Sequence, residues 1–324
     1  MKSDNSDLVA QTNSVIAELA AVNNSFSFSL AARGLAQIRD DLTASQRPTL
    51  ELHLDGAPVT RHEVRADIFA RLISSLQESI TSIAQAIAGK ITTRSSIPGP
   101  LRDITALRLA TTFPGSFGAV LRGPDSEVQL EIPGLEEPSD LLSLSVNKVL
   151  DIIDLANNGN LEDSSIIDAV LPLGARSFKH LSDLSRVVSE TGLSAEISWV
   201  SRQGADERRE AFSKPIASRL GDVLARNQVT EEQLTIEGRL GTVSDIRNRI
   251  ELQTSTGDVI TAAVIEELVS QLGRYYANNV RASFEVTTAR SIVSGLERRS
   301  YRLVGLEMIG SQVSRDGVAH FGDS

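Results

Sequence analysis

An apolar stripe between residues 64 and 87 constrains the fold of this 324-residue chain more than any other feature. Its members are separated by steps of 4, 4, 4, 4, 3 and 4 residues, which places them on one face of a helix that must bury that face. They are Val64, Ile68, Leu72, Leu76, Ile80, Ile83 and Ile87. We expect this helix to run over Arg61–Ala88, with a capping box from Thr60 to Glu63 and a stop at Gly89.

Other segments of the first 228 residues show either strand or helix periodicity. Alternating apolar residues predict strands at Leu50–Leu54, Val128–Ile132 and Leu193–Trp199, and a hairpin that joins Ile104–Thr111 to Ser116–Arg122. Helical spacing follows at Ser139–Ala156, Ser164–Leu171, Arg176–Glu190 and from about Ser213, whereas Arg202–Glu210 is predicted to be a charged connector. Strands separated by helices in this way favour an α+β fold with a mixed helix and antiparallel-sheet domain.

The pattern becomes strand-rich near residue 228. We therefore expect an α+β domain over residues 1–228, a small β-barrel domain over 229–310 and a C-terminal tail over 311–324. Five strands are predicted at Leu234–Val243, Arg249–Thr254, Asp258–Val264, Asn279–Thr287 and Ser300–Met308, with a helix at Glu266–Tyr276. A helix between the third and fourth of five strands resembles the OB-fold. No sequence motif ties this OB-like barrel to a particular family.

The OB resemblance implies that ligands meet the loop after the first strand and the loop between the fourth and fifth strands. Those loops carry Arg247, Arg249, Arg290, Arg298 and Arg299. Such guanidinium groups can clamp phosphates, and proteins that bind single strands add aromatic stacking. Phe284 is expected in the core, so Tyr301 is the strand ring expected to be exposed. Outward charges such as Glu285 and Arg302 alternate in sign, as on a solvated wall. The five arginines are our candidate nucleic-acid or anion-binding residues.

Residues suited to catalysis or metal binding form no complete motif. The chain has no cysteine, which excludes disulfides, thiolate nucleophiles and Cys-ligated metal centres. Gly115-Ser116-Phe117-Gly118 lacks the full spacing of a serine nucleophile elbow, and no phosphate-binding glycine loop occurs. The histidines are His53, His62, His180 and His320, without metal-ligand spacing. We therefore expect no metal and no cofactor, and we nominate no catalytic residue.

The charge balance limits the classes of partner. Lysine and arginine total 32 against 42 aspartate and glutamate, a net charge of −10. An acidic chain is not attracted non-specifically to nucleic acid or anionic lipid, although a local basic patch can act independently. The N-terminus shows no export signal, and the most apolar helical stretch, 141–156, is too polar to span a membrane. We expect a cytoplasmic protein without a membrane partner.

These observations favour a binding or assembly role. We expect a non-catalytic protein that engages a protein partner or associates with itself as an oligomer, because apolar helix faces are present and catalytic motifs are missing. The first alternative is a nucleic-acid-binding accessory protein that uses the basic loops for single-stranded nucleic acid. The second alternative is an enzyme whose site the sequence does not reveal.

Overall fold

Helices and antiparallel sheets build this chain, as the α+β prediction requires. The structure is a computed structural model that describes residues 11–15, 47–89, 96–114, 116–124, 138–159, 162–201, 207–244 and 248–309. The predicted strand Val128–Ile132 lies outside these ranges. The chain forms two compact units, the first with Met1–Val229 and Ala289–Leu296, the second with Thr230–Thr288 and Glu297–Ser324. The domain limits expected at 228 and 310 stay predictions.

A five-stranded antiparallel sheet is the frame of the first unit. Its strands are β1 (Thr49–Gly56), β4 (Arg108–Pro114), β5 (Phe117–Arg122), β6 (Leu193–Val200) and β7 (Glu207–Phe212), in the order β4-β5-β1-β6-β7. A separate pair joins β2 (Val59–Thr60) to β3 (Glu63–Val64). The helices are α1 (Ala66–Ile87), α2 (Gly99–Thr105), α3 (Pro138–Asn157), α4 (Asp163–Val170), α5 (Gly174–Thr191) and α6 (Lys214–Ala225), and residues 11–15 are also helical.

One face of this sheet forms the core of the first unit together with the helices. Alternate residues of β1, namely Leu50, Leu52 and Leu54, are at most 1% exposed, as their period-two spacing predicts. They share a single apolar cluster with the stripe of α1 and with buried residues of α3, α5 and α6. Five stripe residues are buried, namely Ile68, Leu72, Leu76, Ile80 and Ile83. The helical prediction from the stripe is therefore confirmed over its central part.

The predicted start of the stripe helix is wrong. The helix begins at Ala66 instead of Arg61, because the preceding residues fold back as the β2–β3 pair. Thr60 and Glu63 face each other in that pair, so they do not form a capping box. Arg61 turns the chain between them with a positive φ of 57°, a conformation incompatible with a regular helix.

The segment predicted as a charged connector contains an edge strand. Along β7, Arg208 and Glu210 are half-buried and Phe212 is buried, while the residues between them are exposed. Arg208 Nη1 donates to Asp151 Oδ1 of α3 at 2.5 Å, and Nη2 lies 3.3 Å from Glu210 Oε1. Paired charges thus replace apolar residues on the inner side of this strand. Charged side chains also protect an edge strand from pairing with another sheet.

Five strands of the C-terminal region are hydrogen-bonded into a closed ring. They are β8 (Asn227–Ser244), β9 (Arg249–Thr254), β10 (Val259–Val264), β11 (Asn279–Ser291) and β12 (Glu297–Met308), in the order β10-β12-β11-β8-β9. Strand β9 pairs antiparallel with β8 and β10, whereas β10 and β12 run parallel. The short helix α7 (Glu266–Val269) and a 3₁₀ turn at Leu272–Arg274 connect β10 to β11, so the helix expected at Glu266–Tyr276 is wrong beyond Val269.

Inward residues of the ring form a second apolar core. Phe284 is fully buried among Leu240, Leu252 and Val280, as its alternation with Val280 predicts. The expectation that Tyr301 is exposed is wrong, because its ring is half-buried and packs edge-on against Phe284 with centroids 6.0 Å apart. The ring therefore keeps its aromatic side chains on or near the inside.

Candidate interaction site

Four of the five candidate arginines occupy exposed strand ends. Arg247 lies outside the described residues. Arg249 begins β9, Arg290 is close to the end of β11, and Arg298 and Arg299 open β12. Arg290 belongs to the first compact unit, whereas the other three belong to the second. Strand register therefore decides how close the arginines of the second unit lie to one another.

Strand register separates Arg249 from Arg298 and Arg299, the two candidate arginines of β12. Arg249 stands opposite Ala263, and Ala263 stands beside Arg302. Arg299 and Arg298 precede Arg302 by three and four residues, which is about 10–13 Å along a strand. The backbone positions of Arg298 and Arg299 are thus displaced along β12 from the residue that lies level with Arg249.

The outward positions of β9 and β10 carry no aromatic side chain. Outward positions of β9 and β10 are taken by Glu251, Gln253, Thr261 and Ala263, none of which is aromatic. Glu285 and Arg302 are half-buried, so the expected solvated wall is wrong at these two positions. Burial raises the pKa of Glu285, and the nearby Arg302 charge offsets only part of that effect.

A titratable cluster in the first unit ties three helices together. Arg102 Nη1 of α2 donates to Glu78 Oε1 of α1 at 2.7 Å, and His180 Nε2 of α5 lies 3.9 Å from Glu78 Oε2. The hydrogen bond from Arg102 holds the pKa of Glu78 below its usual value, while burial lowers the pKa of His180. Because Arg102 engages the carboxylate, the cluster suits helix packing better than proton transfer. Within the described ranges, no three His, Asp or Glu side chains are placed to hold a metal ion.

The turn between β11 and β12 exposes three aliphatic side chains close together in the chain. Ile292 is 69% exposed, Val293 80% and Leu296 72%, the highest values among the large hydrophobic residues that the structure describes. We refer to residues 292–296 as the apolar turn. The arginines of this loop are candidates from the sequence, whereas the exposure of its aliphatic residues was not predicted. The available signal was an Ile-Val pair directly before Ser294-Gly295, a dipeptide typical of turns.

Hydrogen bonds fix the backbone of the apolar turn. Ser291 N donates to Leu296 O at 2.9 Å, and Gly295 N donates to Ser291 O at 2.9 Å. Ile292 N donates to Arg226 O at 2.8 Å, which anchors the turn to the residue before β8. Gly295 has a φ of 71°, a conformation that glycine adopts without steric cost. The three aliphatic side chains are therefore presented on a preorganised backbone.

Basic residues flank the apolar turn in an otherwise acidic chain. Arg290 precedes it, and Glu297, Arg298 and Arg299 follow directly. Residues 289–299 thus carry three positive charges and one negative charge, a net of +2, which leaves −10 − 2 = −12 for all other residues. Arg299 Nη2 lies 3.2 Å from Glu297 Oε2, whereas Arg290 has no ion pair among the described residues. Arg290, which belongs to the same compact unit as the apolar turn, is thus an exposed basic residue directly before it.

The size of the apolar turn limits the complexes it can form alone. Fully burying one aliphatic side chain gains about 1.5–3 kcal/mol, so three gain about 5–9 kcal/mol. Loss of translational and rotational freedom on association costs about 4–15 kcal/mol. Three side chains therefore give at best a weak complex. A stable partner must therefore contact further residues beyond these three side chains.

Comparisons of the chain with models of known protein families, with curated proteins and with solved structures found no match. Within the part of the chain that the structure describes, no helix has both the length and the apolar character needed to cross a membrane. The apolar turn, with its exposed aliphatic residues and fixed backbone, is thus the candidate site that rests on the most observations.

Proposed function

We propose that this chain is a non-catalytic binding protein that docks onto another protein through the apolar turn. The exposure of Ile292, Val293 and Leu296 carries this proposal, because clustered exposed apolar residues on a protein surface mark interaction sites. The preorganised backbone supports it, since little conformational freedom is lost on binding. Arg290, which precedes the turn in the same compact unit, supports it too, because arginine is enriched among residues that dominate binding energy. The lack of cysteine is compatible with the cytoplasm, our proposed compartment.

We further propose that the closed ring is an OB-like barrel. Two features favour this assignment, namely the connecting helix α7 between the third and fourth strands and a fifth strand that lies between the third and the fourth. In such a barrel the loop between strands four and five is one of the ligand-contacting loops. The apolar turn occupies that loop, which agrees with a docking role.

A site-specific photo-cross-linker placed at Ser294 tests the docking role. With the full-length protein in its host cells, we expect a discrete adduct with a protein when the cross-linker is activated. The pair Ile292→Asp and Val293→Asp should abolish that adduct, because two carboxylates cannot enter an apolar pocket without a desolvation penalty. Ser255, an exposed residue of the β9–β10 turn, is the matched control position and should give no adduct. Adducts that survive the Asp pair would contradict the proposal.

Binding of single-stranded nucleic acid is the second candidate function. It is favoured by the exposure of Arg249, Arg290, Arg298 and Arg299, and opposed by the lack of aromatic side chains at the outward positions of β9 and β10. Under the docking proposal, a fluorescent single-stranded oligonucleotide should not bind at about 50 mM salt, where electrostatic contacts are strong. Binding that disappears when these four arginines become alanine would instead favour the nucleic-acid function.

A further inference from the structure

The two edge strands of the five-stranded sheet differ in charge. Four of the six side chains of β7 are charged, namely Glu207, Arg208, Arg209 and Glu210. In β4 the residues after Arg108 are uncharged, and residues 108–112 are exposed. Within the described ranges, β4 pairs with β5 alone. Alternate backbone N–H and C=O groups of an edge strand point away from its sheet, so β4 offers these groups to another strand without the charges that protect β7.

Two arginines lie where β4 begins. Arg108 of β4 stands directly opposite Arg122 of β5, and opposite residues of an antiparallel pair point to the same face. Arg122 follows Leu121, which is buried in the core, so both arginines point to the face of the sheet away from the helices. Neither side chain forms an ion pair or a hydrogen bond with another residue that the structure describes. Two like charges in this position attract a carboxylate, which arginine binds strongly.

We propose that β4 binds an extended peptide segment as a sixth strand of the sheet, with an acidic residue of that segment beside Arg108 and Arg122. This inference goes beyond the docking role and does not depend on the apolar turn. The added strand runs antiparallel to β4, as neighbouring strands do throughout this sheet. Its acidic residue therefore lies at its C-terminal end, level with the start of β4. In this mode of recognition, backbone hydrogen bonds supply affinity and side chains supply specificity.

The geometry of β4 sets the length of the segment. A β-bulge between Leu109 and Thr111 shifts the register with β5, and regular pairing resumes from Thr111 to Phe113. Pro114 has no backbone N–H, so it limits pairing at the end of the strand. The five residue steps from Arg108 to Phe113 span about 17 Å. A segment of about six residues therefore reaches from the regular part of β4 to the two arginines.

Fluorescence anisotropy of a labelled peptide with the purified full-length protein at low salt tests the site. The probe is the hexapeptide Thr-Val-Thr-Val-Thr-Glu with blocked ends, because β-branched residues favour strand pairing and its one carboxylate lies at the C-terminal end. We expect a Kd below about 1 mM. A probe with Gln in place of Glu should bind about fivefold more weakly, the upper range for an exposed ion pair. Absence of binding at about 5 mM probe would overturn the proposal.

N-methylated probes distinguish strand addition from contact with side chains alone. In an added strand, every second N–H group of the probe bonds to β4, and the others point away from it. Methylation of residues two and four of the probe, or of residues three and five, should therefore abolish binding in one case and preserve it in the other. Equal binding of both methylated probes would overturn the added strand.

A cycle of variants tests the position of the carboxylate. Arg108→Gln should weaken binding of the Glu probe about fivefold and leave binding of the Gln probe unchanged, because that ion pair is then absent. Arg209→Gln, in the charged edge strand β7, is the matched control and should bind both probes like the wild type. Equal losses for the two probes in Arg108→Gln would overturn the placement of the acidic residue.

Hydrogen exchange locates the bound probe. Excess Glu probe should slow amide exchange in residues 111–113 and leave β7 unchanged. If every amide of β4 already exchanges slowly in the dilute protein, another part of the chain or a second copy covers the edge, and the proposal is wrong. The pair Ile292→Asp and Val293→Asp should bind the probe like the wild type, so this site and the docking role fail or succeed separately.

Discussion

The surroundings of Glu285 disfavour the ionised form of its carboxyl group. Its Oε2 atom is buried and has no hydrogen-bond partner among the residues that the structure describes. Burial raises the pKa of this carboxyl group, Glu231 raises the pKa further, and Arg302 lowers it only in part. Between the unfolded value of 4.5 and the higher folded pKa, the folded state binds more protons than the unfolded state. The free energy of unfolding must therefore fall as pH rises through that window.

The substitution Glu285→Gln should raise the free energy of unfolding at about pH 7, because it removes a poorly solvated charge. Near pH 4 the wild-type carboxyl group is protonated in both states, so the variant and the wild type should be about equally stable. Urea unfolding at the two pH values measures this difference. Glu237→Gln is the control, since that exposed carboxylate is paired with Arg281 at 2.7 Å and its removal should not stabilise the fold. If Glu285→Gln is less stable than the wild type at neutral pH, the claim that the buried Glu285 charge destabilises the fold is wrong.

His180 gives the opposite pH dependence. Burial lowers its pKa from 6.5, and Lys179 and Arg176 act in the same direction, whereas Glu78 and Asp183 raise it. Just below pH 6.5 the unfolded state therefore binds more protons, and the free energy of unfolding should decrease as pH falls. His180→Gln should remove this component of the pH profile in urea unfolding, whereas His62→Gln at the exposed β2–β3 turn should keep it. An unchanged profile in His180→Gln would show that other groups cause the effect.

At the level of elements, β8 depends on a close approach to β9. A Cβ atom added at Gly238 would lie 2.3 Å from the backbone oxygen of Gln253, whereas one at Gly241 would lie 3.7 Å from the oxygen of Glu251. A backbone atom of the paired strand cannot move without disturbing the ladder. Gly238 is therefore a packing requirement of the ring.

Gly238→Ala should destabilise the protein by about 1–3 kcal/mol, the usual range for forced overpacking. Gly241→Ala in the same strand is the matched control, since its contact is an ordinary van der Waals distance, and it should have little effect. Urea unfolding followed by far-ultraviolet circular dichroism compares the two. Equal stability of both variants would show that β8 and β9 can separate without loss.

Elements with both periodicity and an end signal were predictable from sequence. Helix α5 is an example, because it ends at Thr191 and the next residue, Gly192, adopts a φ of 70° where the helical spacing stops. Elements that depend on strand pairing were not predictable from sequence. The edge strand β7 uses Arg208 with Asp151 on its inner side, so its alternation is hidden in charged residues. Helix α1 starts late because Arg61 turns the chain into a strand pair that no local propensity indicates.

The candidate site was predictable only in part. The sequence predicts where the arginines stand along the chain, but strand register decides which of them are neighbours. The exposure of Ile292 and Val293 could not be derived from alternation, since both follow a strand whose last apolar residues are buried. Their position in a turn depends on the backbone bond between Ser291 and Leu296.

At the scale of the whole molecule, the net charge of −10 opposes folding. Repulsion among the excess carboxylates destabilises the folded chain, because folding brings like charges closer together. This repulsion is electrostatic, so added salt weakens it. The free energy of unfolding should therefore rise with the salt concentration.

A titration with potassium chloride tests this expectation. The Debye length falls from about 10 Å at 0.1 M to about 3 Å at 1 M, so exposed charges interact less at high salt. Urea unfolding of the wild-type protein should show a rising free energy of unfolding over this range, because self-repulsion is screened. A free energy of unfolding that falls over the same range would mean that the ion pairs of the folded chain outweigh the repulsion among its excess carboxylates.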